Sequence, residues 1–356
     1  MPDKRIENIN VHSEDPLLTP EQLKRKFPLT EEAVQTVMHG QQTVKNILNR
    51  RDHRLFVVVG PCSVHDVEAA LEYTLKLENL ADELADTLFL IMRVYFEKPR
   101  TKVGWQGLIN DPHLDNSYRI EDGLHLARKL LLDIAVSGLP AAGEALDLVS
   151  PQYIQDLFAW TAIGARTAES QSHRKMASGL SCAVGFKNST EGDLAVAINA
   201  MHSAARDNHF LSVDPHGHVA VVRTKGNPHT HIVLRGGNKQ PNYQADSIKS
   251  CELRLEQAGL PTNIMVDCSH ANSGKDPGKQ LEVLEDVSQQ IAAGNHSIVA
   301  VMLESNLKAG RQAIPDDPSK LTYGVSVTDG CLDWERTERA LRNLRGDLRA
   351  VLRQRV

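Results

Sequence analysis

The run LFVVVGPC, from Leu55 to Cys62, is apolar at almost every position and ends in a glycine, a proline and a cysteine. A strand with one face in water alternates polar and apolar residues, whereas an unbroken apolar run is typical of a parallel sheet covered on both faces. Seven further runs of this kind follow it along the chain. They are LFLIMRV (Leu88 to Val94), LPAAGEA (Leu139 to Ala145), TAIGART (Thr161 to Thr167), CAVGFKN (Cys182 to Asn188), HIVLRGG (His231 to Gly237), NIMVDCSH (Asn263 to His270) and SIVAVMLES (Ser297 to Ser305).

Helical patterns separate these eight predicted strands. Ser150 and Pro151 predict the start of a helix over PQYIQDLFAW, and Thr190 with Asp193 forms an imperfect capping box before another helix. Gly138 follows ARKLLLDIAVS where a C-terminal cap is expected. Eight strand-helix repeats favour an α/β fold of the (β/α)8 TIM-barrel type over an open doubly wound sheet. The lack of a GxGxxG motif after the first run also disfavours a dinucleotide-binding fold.

Two segments lie outside the eightfold repeat. Residues 1–50 form an N-terminal extension in which TPEQLKRKF and EEAVQTVMHGQQTVKNIL predict helices, and residues 51–356 form the predicted barrel domain. Between the fifth and sixth strands, HFLSV and HVAVVRT predict a β-hairpin insertion at about residues 208–224, with its turn at Asp214 to Gly217. Both segments are candidates for assembly or regulation, and surface elaboration is the alternative.

Composition limits the class of protein. Of the 356 residues, 41% are apolar and 24% charged, and no apolar run approaches the length of a membrane span. The N-terminal stretch MPDKRIENINVHSEDP lacks the apolar core of a signal peptide. We therefore expect a soluble cytoplasmic protein without a membrane partner. The net charge of −5 gives no reason to expect nucleic acid, so an anionic ligand requires a local basic cluster. Five widely spaced cysteines without a CxxC pair disfavour disulfides and a zinc finger.

Each predicted strand delivers a polar or charged group to its carboxyl end, which is the active-site face of a TIM barrel. Residues two apart share a strand face, so Arg93 should face inward with Ile91, and Glu304 with Met302. Six convergent cations carry more charge than one carboxylate needs, which indicates phosphorylated substrates. They are Arg93, Lys98, Arg100, Arg166, Lys187 and Arg235. One or two of them could instead form ion pairs that stiffen the barrel mouth.

A second set of strand-end residues consists of Cys62, His270, Glu304 and Asp329. A thiolate, an imidazole and two carboxylates suit a divalent transition metal such as Mn, Fe, Co or Zn, among which we favour Mn. Taken alone, a cysteine such as Cys62 is more often a small buried apolar residue than a metal ligand. Cys268 and His65 lie near these residues in the sequence, and we set them aside as ligands.

Eight segments resemble the type I class of 3-deoxy-D-arabino-heptulosonate-7-phosphate (DAHP) synthases from about residue 20 to 340. They are GPCSVHD, RVYFEKPRT, AIGARTAESQ, CAVGFKN, GNPHTHIVLRGG, VDCSHANS, MLESN and YGVSVTDGC. The resemblance implies an enzyme that condenses phosphoenolpyruvate with erythrose 4-phosphate and releases phosphate, the first step of the shikimate pathway. A related synthase that uses arabinose 5-phosphate and a non-catalytic effector-binding paralogue are the competing interpretations.

The resemblance also assigns residues. Cys62, His270, Glu304 and Asp329 match its metal ligands. Arg93, Lys98, Glu144, Gly164, Ala165, Arg166, Lys187 and Arg235 match its phosphoenolpyruvate site, and Arg100 and Thr101 match its erythrose 4-phosphate site. Lys98 and His270 are the candidate proton carriers, and Cys62 completes the catalytic set.

Feedback regulation by an aromatic amino acid is implied as well. The matching effector positions are Pro151, Gln152, Leu180, Ser181, Phe210 and Ser212. In relatives, a serine at the position of Ser212 accompanies sensitivity to phenylalanine, and a glycine there accompanies sensitivity to tyrosine. The segments VDCSHANS and YGVSVTDGC, however, look closer to tyrosine-regulated forms. The identity of the effector therefore stays open, as does the choice between a homodimer and a homotetramer.

Overall fold

Within residues 6–99, 104–238 and 240–355, which the computed structural model describes, the chain forms ten strands and ten α-helices. The strands are β1 (Leu55–Gly60), β2 (Leu88–Arg93), β3 (Ala141–Glu144), β4 (Phe158–Ile163), β5 (Ala183–Lys187), β6 (Asn208–Val213), β7 (Val219–Thr224), β8 (Thr230–Leu234), β9 (Ile264–Asp267) and β10 (Ile298–Glu304). The helices are α1 (Pro20–Lys26), α2 (Glu31–Leu48), α3 (Val67–Leu84), α4 (Ile120–Val136), α5 (Pro151–Ile154), α6 (Gln171–Ala177), α7 (Leu194–Ala204), α8 (Ala245–Gln257), α9 (Gln280–Ala292) and α10 (Trp334–Leu352).

Eight of the strands close into a barrel in the order β1-β2-β3-β4-β5-β8-β9-β10, with β10 returning to β1. Every pairing around the barrel is parallel. Helices connect the successive strands and cover the outside, as parallel strands require. The prediction of a (β/α)8 TIM barrel is confirmed.

Two apolar clusters occupy the two faces of the barrel sheet. The interior cluster fills the barrel and includes Phe56, Ile91, Trp160 and Met302. The outer cluster lies between the strands and the surrounding helices. Because Ile91 and Met302 belong to the interior cluster, the inward orientation predicted for Arg93 and Glu304 is confirmed.

The N-terminal extension contains both predicted helices, α1 and α2. Thr19 and Gln22 form a capping box at the start of α1, and the Thr30 side chain caps α2. Three apolar residues of α2, Val44, Ile47 and Leu48, belong to the interior cluster. Helix α2 therefore contributes to the core of the barrel, although it lies outside the eightfold repeat.

The predicted hairpin forms as the antiparallel pair β6–β7, in register from Asn208 opposite Thr224 to Val213 opposite Val219. Its turn is fastened to α1, because the Glu21 backbone N–H donates to the Pro215 carbonyl at 2.8 Å. The hairpin insertion between the fifth and sixth barrel strands is confirmed.

Three local predictions differ from the structure. The helix expected from Pro151 ends at Ile154, and the chain continues through one 3-10 turn into β4 at Phe158, three residues before the predicted strand start. Short apolar runs fit a helix or a strand equally well, and burial inside the barrel decides for the strand. At α7, Asp193 is itself the N-cap and accepts from the Ala195 N–H, so the capping box opened by Thr190 is wrong.

Within the described ranges, none of the helices combines the length and the apolar character that crossing a bilayer requires.

The cap predicted at the end of α4 is present, with Gly138 at a φ of 94°.

Candidate active site

A polar cavity of about 290 Å³ lies at the carboxyl ends of the barrel strands. All eight residues that the resemblance assigns to phosphoenolpyruvate line it, and so do His270 and Asp329. The eight are Arg93, Lys98, Glu144, Gly164, Ala165, Arg166, Lys187 and Arg235. Five of them are cations that come from the ends of four different strands. The fold therefore gathers these side chains at one place, while their role in binding stays a prediction.

Arg93, the last residue of β2, is almost fully buried beneath this cavity. Its Nη1 donates to the carbonyls of Pro61 and Cys62, each at 2.7 Å, and its Nη2 donates to Glu304 Oε1 at 2.9 Å. A buried guanidinium needs such partners, because an unpaired charge in the interior is very costly. Arg93 thereby joins the end of β1 to the end of β10 and fixes the backbone around Cys62.

A second buried network connects β5 and β9. Lys187 Nζ donates to Asp267 Oδ2 at 2.8 Å, and His270 Nδ1 lies 3.0 Å from the same oxygen. Burial alone would raise the pKa of Asp267, but Lys187 and His270 hold that pKa well below its usual range. The carboxylate is therefore ionised and turns Nδ1 of His270 inward, which leaves Nε2 as the nitrogen that can face a ligand.

Three of the four predicted metal ligands lie together. One ligand atom from each of Cys62, Glu304 and Asp329 can be chosen so that all three atoms lie within 4.8 Å of one another. Donors that share one transition metal at about 2.0–2.3 Å fall within this separation, so the donor set fits a divalent ion. His270 lies outside this group of three, although it lines the main cavity with Asp329 and a smaller one with Glu304 and Asp329.

Lys98 lies beside the thiol of this group, with Nζ 3.1 Å from Cys62 Sγ. Burial raises the pKa of Cys62, the Glu304 carboxylate raises it further, and Lys98 and Arg93 lower it. A bound cation would add positive charge next to the sulfur and favour the thiolate. By contrast, Cys268 packs in the outer cluster. Neither Cys268 nor His65 belongs to the group formed by Cys62, Glu304 and Asp329, so neither is added to the predicted metal ligands.

Gly164 explains how one wall of the cavity is built. A Cβ atom at this position would collide with Oε1 of Glu144, so a side chain here would displace the carboxylate. The backbone of Gly164 and Ala165 and the Glu144 side chain thus form a single surface of the cavity. The next residue, Arg166, is exposed, in contrast to the buried Arg93 and Lys187.

The carboxyl group of Glu97 lies in the loop that carries Lys98 and accepts a hydrogen bond from Ser150 Oγ at 2.8 Å. Burial raises the pKa of Glu97 to about 7; the Ser150 hydrogen bond lowers it, and nearby Asp147 and Glu144 raise it. A raised carboxyl pKa means that the folded chain binds more protons than the unfolded chain between about pH 4.5 and pH 7. The contribution of Glu97 to stability is thus complete below that window and is lost as the pH rises through it.

We expect the Glu97→Gln variant to lose this pH dependence. The wild-type free energy of unfolding should fall by up to about 3 kcal/mol more than that of the variant between pH 4.5 and pH 7.5. Denaturant unfolding of both proteins across this range measures the difference. Parallel curves would show that Glu97 titrates as an ordinary exposed carboxyl.

Several residues that line the cavity were missed by the sequence-based prediction. Tyr95, Thr190, Lys275 and Thr328 all contribute to its wall. Strand parity was a usable signal for Tyr95, which lies two residues after Arg93 and so shares its inward face. No comparable pattern marks the other three, because they lie in loops whose course depends on the whole fold. Arg100 and Thr101, predicted to bind the second substrate, lie outside the described residues.

The predicted effector positions lie on three segments, one of which is the hairpin strand β6. Pro151 and Gln152 begin α5, Leu180 and Ser181 precede β5, and Phe210 and Ser212 lie on β6. The hairpin is attached to the second of these segments, because Ser178 Oγ and Thr224 Oγ1 lie 2.6 Å apart. The hydroxyl of Ser212 is buried and has no hydrogen-bond partner among the residues that the structure describes.

Comparisons with known proteins agree with this architecture and site. The chain is 53% identical to the Tyr-sensitive phospho-2-dehydro-3-deoxyheptonate aldolase of Escherichia coli (strain K12), over 99% of this chain and 98% of that protein. It is 55% identical to the Phe-sensitive form from the same organism, over 94% and 95% of the two chains. The solved structure of phospho-2-dehydro-3-deoxyheptonate aldolase from Francisella tularensis SCHU S4 superimposes with a TM-score of 0.92 at 48% identity, covering 95% of this chain and 98% of that one.

The match to the family itself spans nearly the whole barrel. Residues 26–342 match the DAHP synthetase I family, a range that begins in α1 and ends in α10. It includes every strand of the barrel, the hairpin and each residue of the cavity described above. The sequence-based expectation of a type I DAHP synthase is therefore confirmed, and the chain belongs to the DAHP synthetase I family.

Proposed function

We propose that this enzyme condenses phosphoenolpyruvate with erythrose 4-phosphate to give DAHP and inorganic phosphate, with a divalent metal ion held by Cys62, His270, Glu304 and Asp329. The observation that carries the proposal is the meeting of five cations and a thiol-carboxylate group at one end of the barrel. Two phosphorylated substrates supply the negative charge that such a cation cluster requires.

The cations position the two substrates for reaction. Arg93, Arg166, Lys187 and Arg235 hold the phosphate and carboxylate of phosphoenolpyruvate, and Arg100 and Thr101 hold the phosphate of the aldose. Holding both anions at once offsets their repulsion and converts a reaction between two molecules into one within a complex. When bound, the metal ion would supply Lewis-acid polarisation of the aldehyde oxygen.

The bond changes balance as follows. The methylene carbon of phosphoenolpyruvate forms a bond to the aldehyde carbon, and the aldehyde oxygen takes up one proton to become a hydroxyl. Water adds to the former enol carbon and loses one proton, which leaves a hydroxyl on that carbon. The bond from this carbon to the phosphate oxygen then breaks, the hydroxyl becomes the ketone C=O, and its proton goes to the departing phosphate. Lys98 carries these protons in our proposal, and His270 does so only while its Nε2 is not bound to the metal ion. Support comes from Lys98 Nζ beside Cys62 Sγ and from Asp267, which orients the His270 ring.

Product analysis tests the reaction directly. The metal-loaded enzyme is supplied with phosphoenolpyruvate and either erythrose 4-phosphate or arabinose 5-phosphate, and phosphate release and the sugar product are measured. We expect a kcat/KM for erythrose 4-phosphate that is roughly 100-fold or more above that for arabinose 5-phosphate. The phosphate has to reach Arg100 and Thr101 while the aldehyde lies at the proposed metal site beside Cys62, and the length of the aldose decides whether both fit at once. Equal use of the five-carbon aldose would contradict the proposal.

We further propose feedback inhibition by an aromatic amino acid bound among Pro151, Gln152, Leu180, Ser181, Phe210 and Ser212. Two of the relatives are named for tyrosine or phenylalanine sensitivity. Buried polar atoms are nearly always hydrogen-bonded, but the buried Ser212 hydroxyl has no partner within the described residues. A bound amino acid would supply that partner. Ser150 precedes Pro151 and donates to Glu97, the neighbour of Lys98, so a shift of α5 has a direct route to the active-site loop.

Inhibition assays with phenylalanine, tyrosine and tryptophan test this regulation and identify the effector. We expect one of them to inhibit, and the Ser212→Ala variant to need about 10-fold more of it, the equivalent of one buried hydrogen bond. The Ser250→Ala variant is the matched control, because Ser250 is exposed on α8. Insensitivity of the wild-type enzyme to all three amino acids would remove the regulatory proposal.

Self-association as a homodimer or homotetramer is proposed as well. On the outer face of the hairpin, the side chains of Leu211 and Val219 are 74% and 78% exposed, and Val221 beside them is 51% exposed. A row of exposed apolar residues on a strand pair is a common contact surface between subunits. Sedimentation equilibrium of the wild-type enzyme measures the assembly state, and a monomer at all concentrations would contradict this proposal. A cytoplasmic location stays a prediction.

A further inference from the structure

Tyr95 marks the boundary between the apolar interior of the barrel and the charged cavity above it. The residue lies just beyond β2 on the inward face of that strand, and only 1% of its surface is exposed. Its side chain belongs to the interior cluster together with Phe56 and Ile91. At the same time Tyr95 lines the cavity that contains the cations. Its ring therefore forms part of the floor of the active site.

Three of the cavity cations lie around this ring. The Cζ atom of Arg93 is 3.6 Å from the ring centroid, Nζ of Lys98 is 5.7 Å from it and Nζ of Lys187 is 6.0 Å from it. All three distances fall within the range over which the negative face of an aromatic ring attracts a cation. The cations repel one another in this poorly solvated place, and the ring attracts them all.

Among the described residues, polar groups contact the ring of Tyr95 and leave its hydroxyl without a partner. Its hydroxyl is buried and has no hydrogen-bond partner within the described ranges. A hydroxyl without a partner gains nothing from burial, so phenylalanine would serve the packing equally well. What an aliphatic residue of similar size could not supply is the electrostatic attraction of the aromatic face.

We propose that Tyr95 is a positioning residue, whose ring holds Arg93, Lys98 and Lys187 in the arrangement that binds phosphoenolpyruvate. This inference rests on the proposed function and adds a component that acts through the cations. Without the ring, Arg93 and Lys187 would still be held by Glu304 and Asp267, but the repulsion among the three cations would be less compensated. Lys98 would then move away before the substrate arrives, and binding would have to bring it back. The effect should therefore fall on the affinity for phosphoenolpyruvate and much less on the KM for erythrose 4-phosphate.

Stepwise fluorination separates the electrostatic role of the ring from its shape. Phenylalanine and its mono-, di- and trifluoro derivatives are placed at position 95 by nonsense suppression in the full-length, metal-loaded enzyme. The Kd of phosphoenolpyruvate is measured by calorimetry, together with kcat and both KM values. We expect Tyr95→Phe to bind within about twofold of the wild type, and Kd to rise with each fluorine to roughly tenfold for the trifluoro ring.

Phe96 provides the matched control. It is the next residue, it is also buried, and its side chain packs in the outer cluster on the opposite face of the sheet. The same fluorinated series at position 96 should leave the Kd of phosphoenolpyruvate unchanged. Thermal unfolding of each variant checks that the fluorines have not altered folding.

The outcomes are distinct. A Kd that does not change with fluorination at Tyr95, in an enzyme that still releases phosphate, would overturn the inference and leave the proposed function standing. The Tyr95→Leu variant lacks both the ring and the hydroxyl, and Tyr95→Phe lacks only the hydroxyl. An equal loss of affinity for phosphoenolpyruvate in the two variants would also overturn the inference, because the hydroxyl would then account for the effect. Wild-type enzyme that forms no DAHP would instead reject the proposed function.

Discussion

The Arg93→Ala variant is expected to have a kcat/KM about 100- to 1000-fold below that of the wild type, as is typical when one preorganised donor to a developing charge is removed. Arg93 is held by two carbonyls and by Glu304, so its position is set before any substrate binds. Its loss removes a cation from the proposed phosphoenolpyruvate site and releases the backbone at Cys62. Steady-state kinetics with both substrates measures the effect.

The same substitution should also destabilise the protein. Glu304 would keep a buried carboxylate without its partner, and breaking a buried ion pair in this way typically costs about 3–5 kcal/mol. The control is Arg128→Ala, since Arg128 is equally buried and pairs with Asp156, and neither of these residues lines the cavity. That variant should lose stability and keep its kcat/KM. Wild-type turnover in a folded Arg93→Ala enzyme would contradict the assignment of Arg93.

Removal of the proposed metal ion is expected to have the largest effect of all. Chelation should abolish turnover, by a factor of about 1000 or more, because Lewis-acid polarisation contributes several kcal/mol to stabilising the transition state. Adding Mn should restore it. The Cys62→Ala variant should behave like the chelated enzyme at low metal concentration, because it removes the thiolate from the group that includes Glu304 and Asp329. Metal titration followed by activity measures both effects.

Cys268→Ala is the matched control for this experiment. Both cysteines are buried, but Cys268 packs in the outer cluster and faces away from the cavity. Its replacement should cost about 1 kcal/mol of stability through a small cavity and leave metal affinity unchanged. Full activity after exhaustive chelation, or equal metal affinity in Cys62→Ala, would disprove the metal site.

The barrel and the gathering of its cations were predictable from simple regularities. Unbroken apolar runs indicated buried parallel strands, and the alternation of side chains placed Arg93 inside the barrel. The start of β4 at Phe158 was not predictable, because the same letters fit the end of a helix. The pairing of Asp267 with both Lys187 and His270 was also out of reach. It depends on the relative positions of β5 and β9, which belong to the closed barrel and not to any local stretch of sequence.

The three apolar residues of α2 that enter the barrel interior change what a shortened version of this enzyme can be. A deletion designed to test the proposed feedback control would naturally be cut at residue 50, shortly before the first barrel strand begins. Such a cut would remove these three residues from the interior cluster and expose the apolar residues beneath them to water. We expect the shortened protein to aggregate. Any deletion has to end before Thr30, which caps α2, and the proposed control has to be tested by point substitutions.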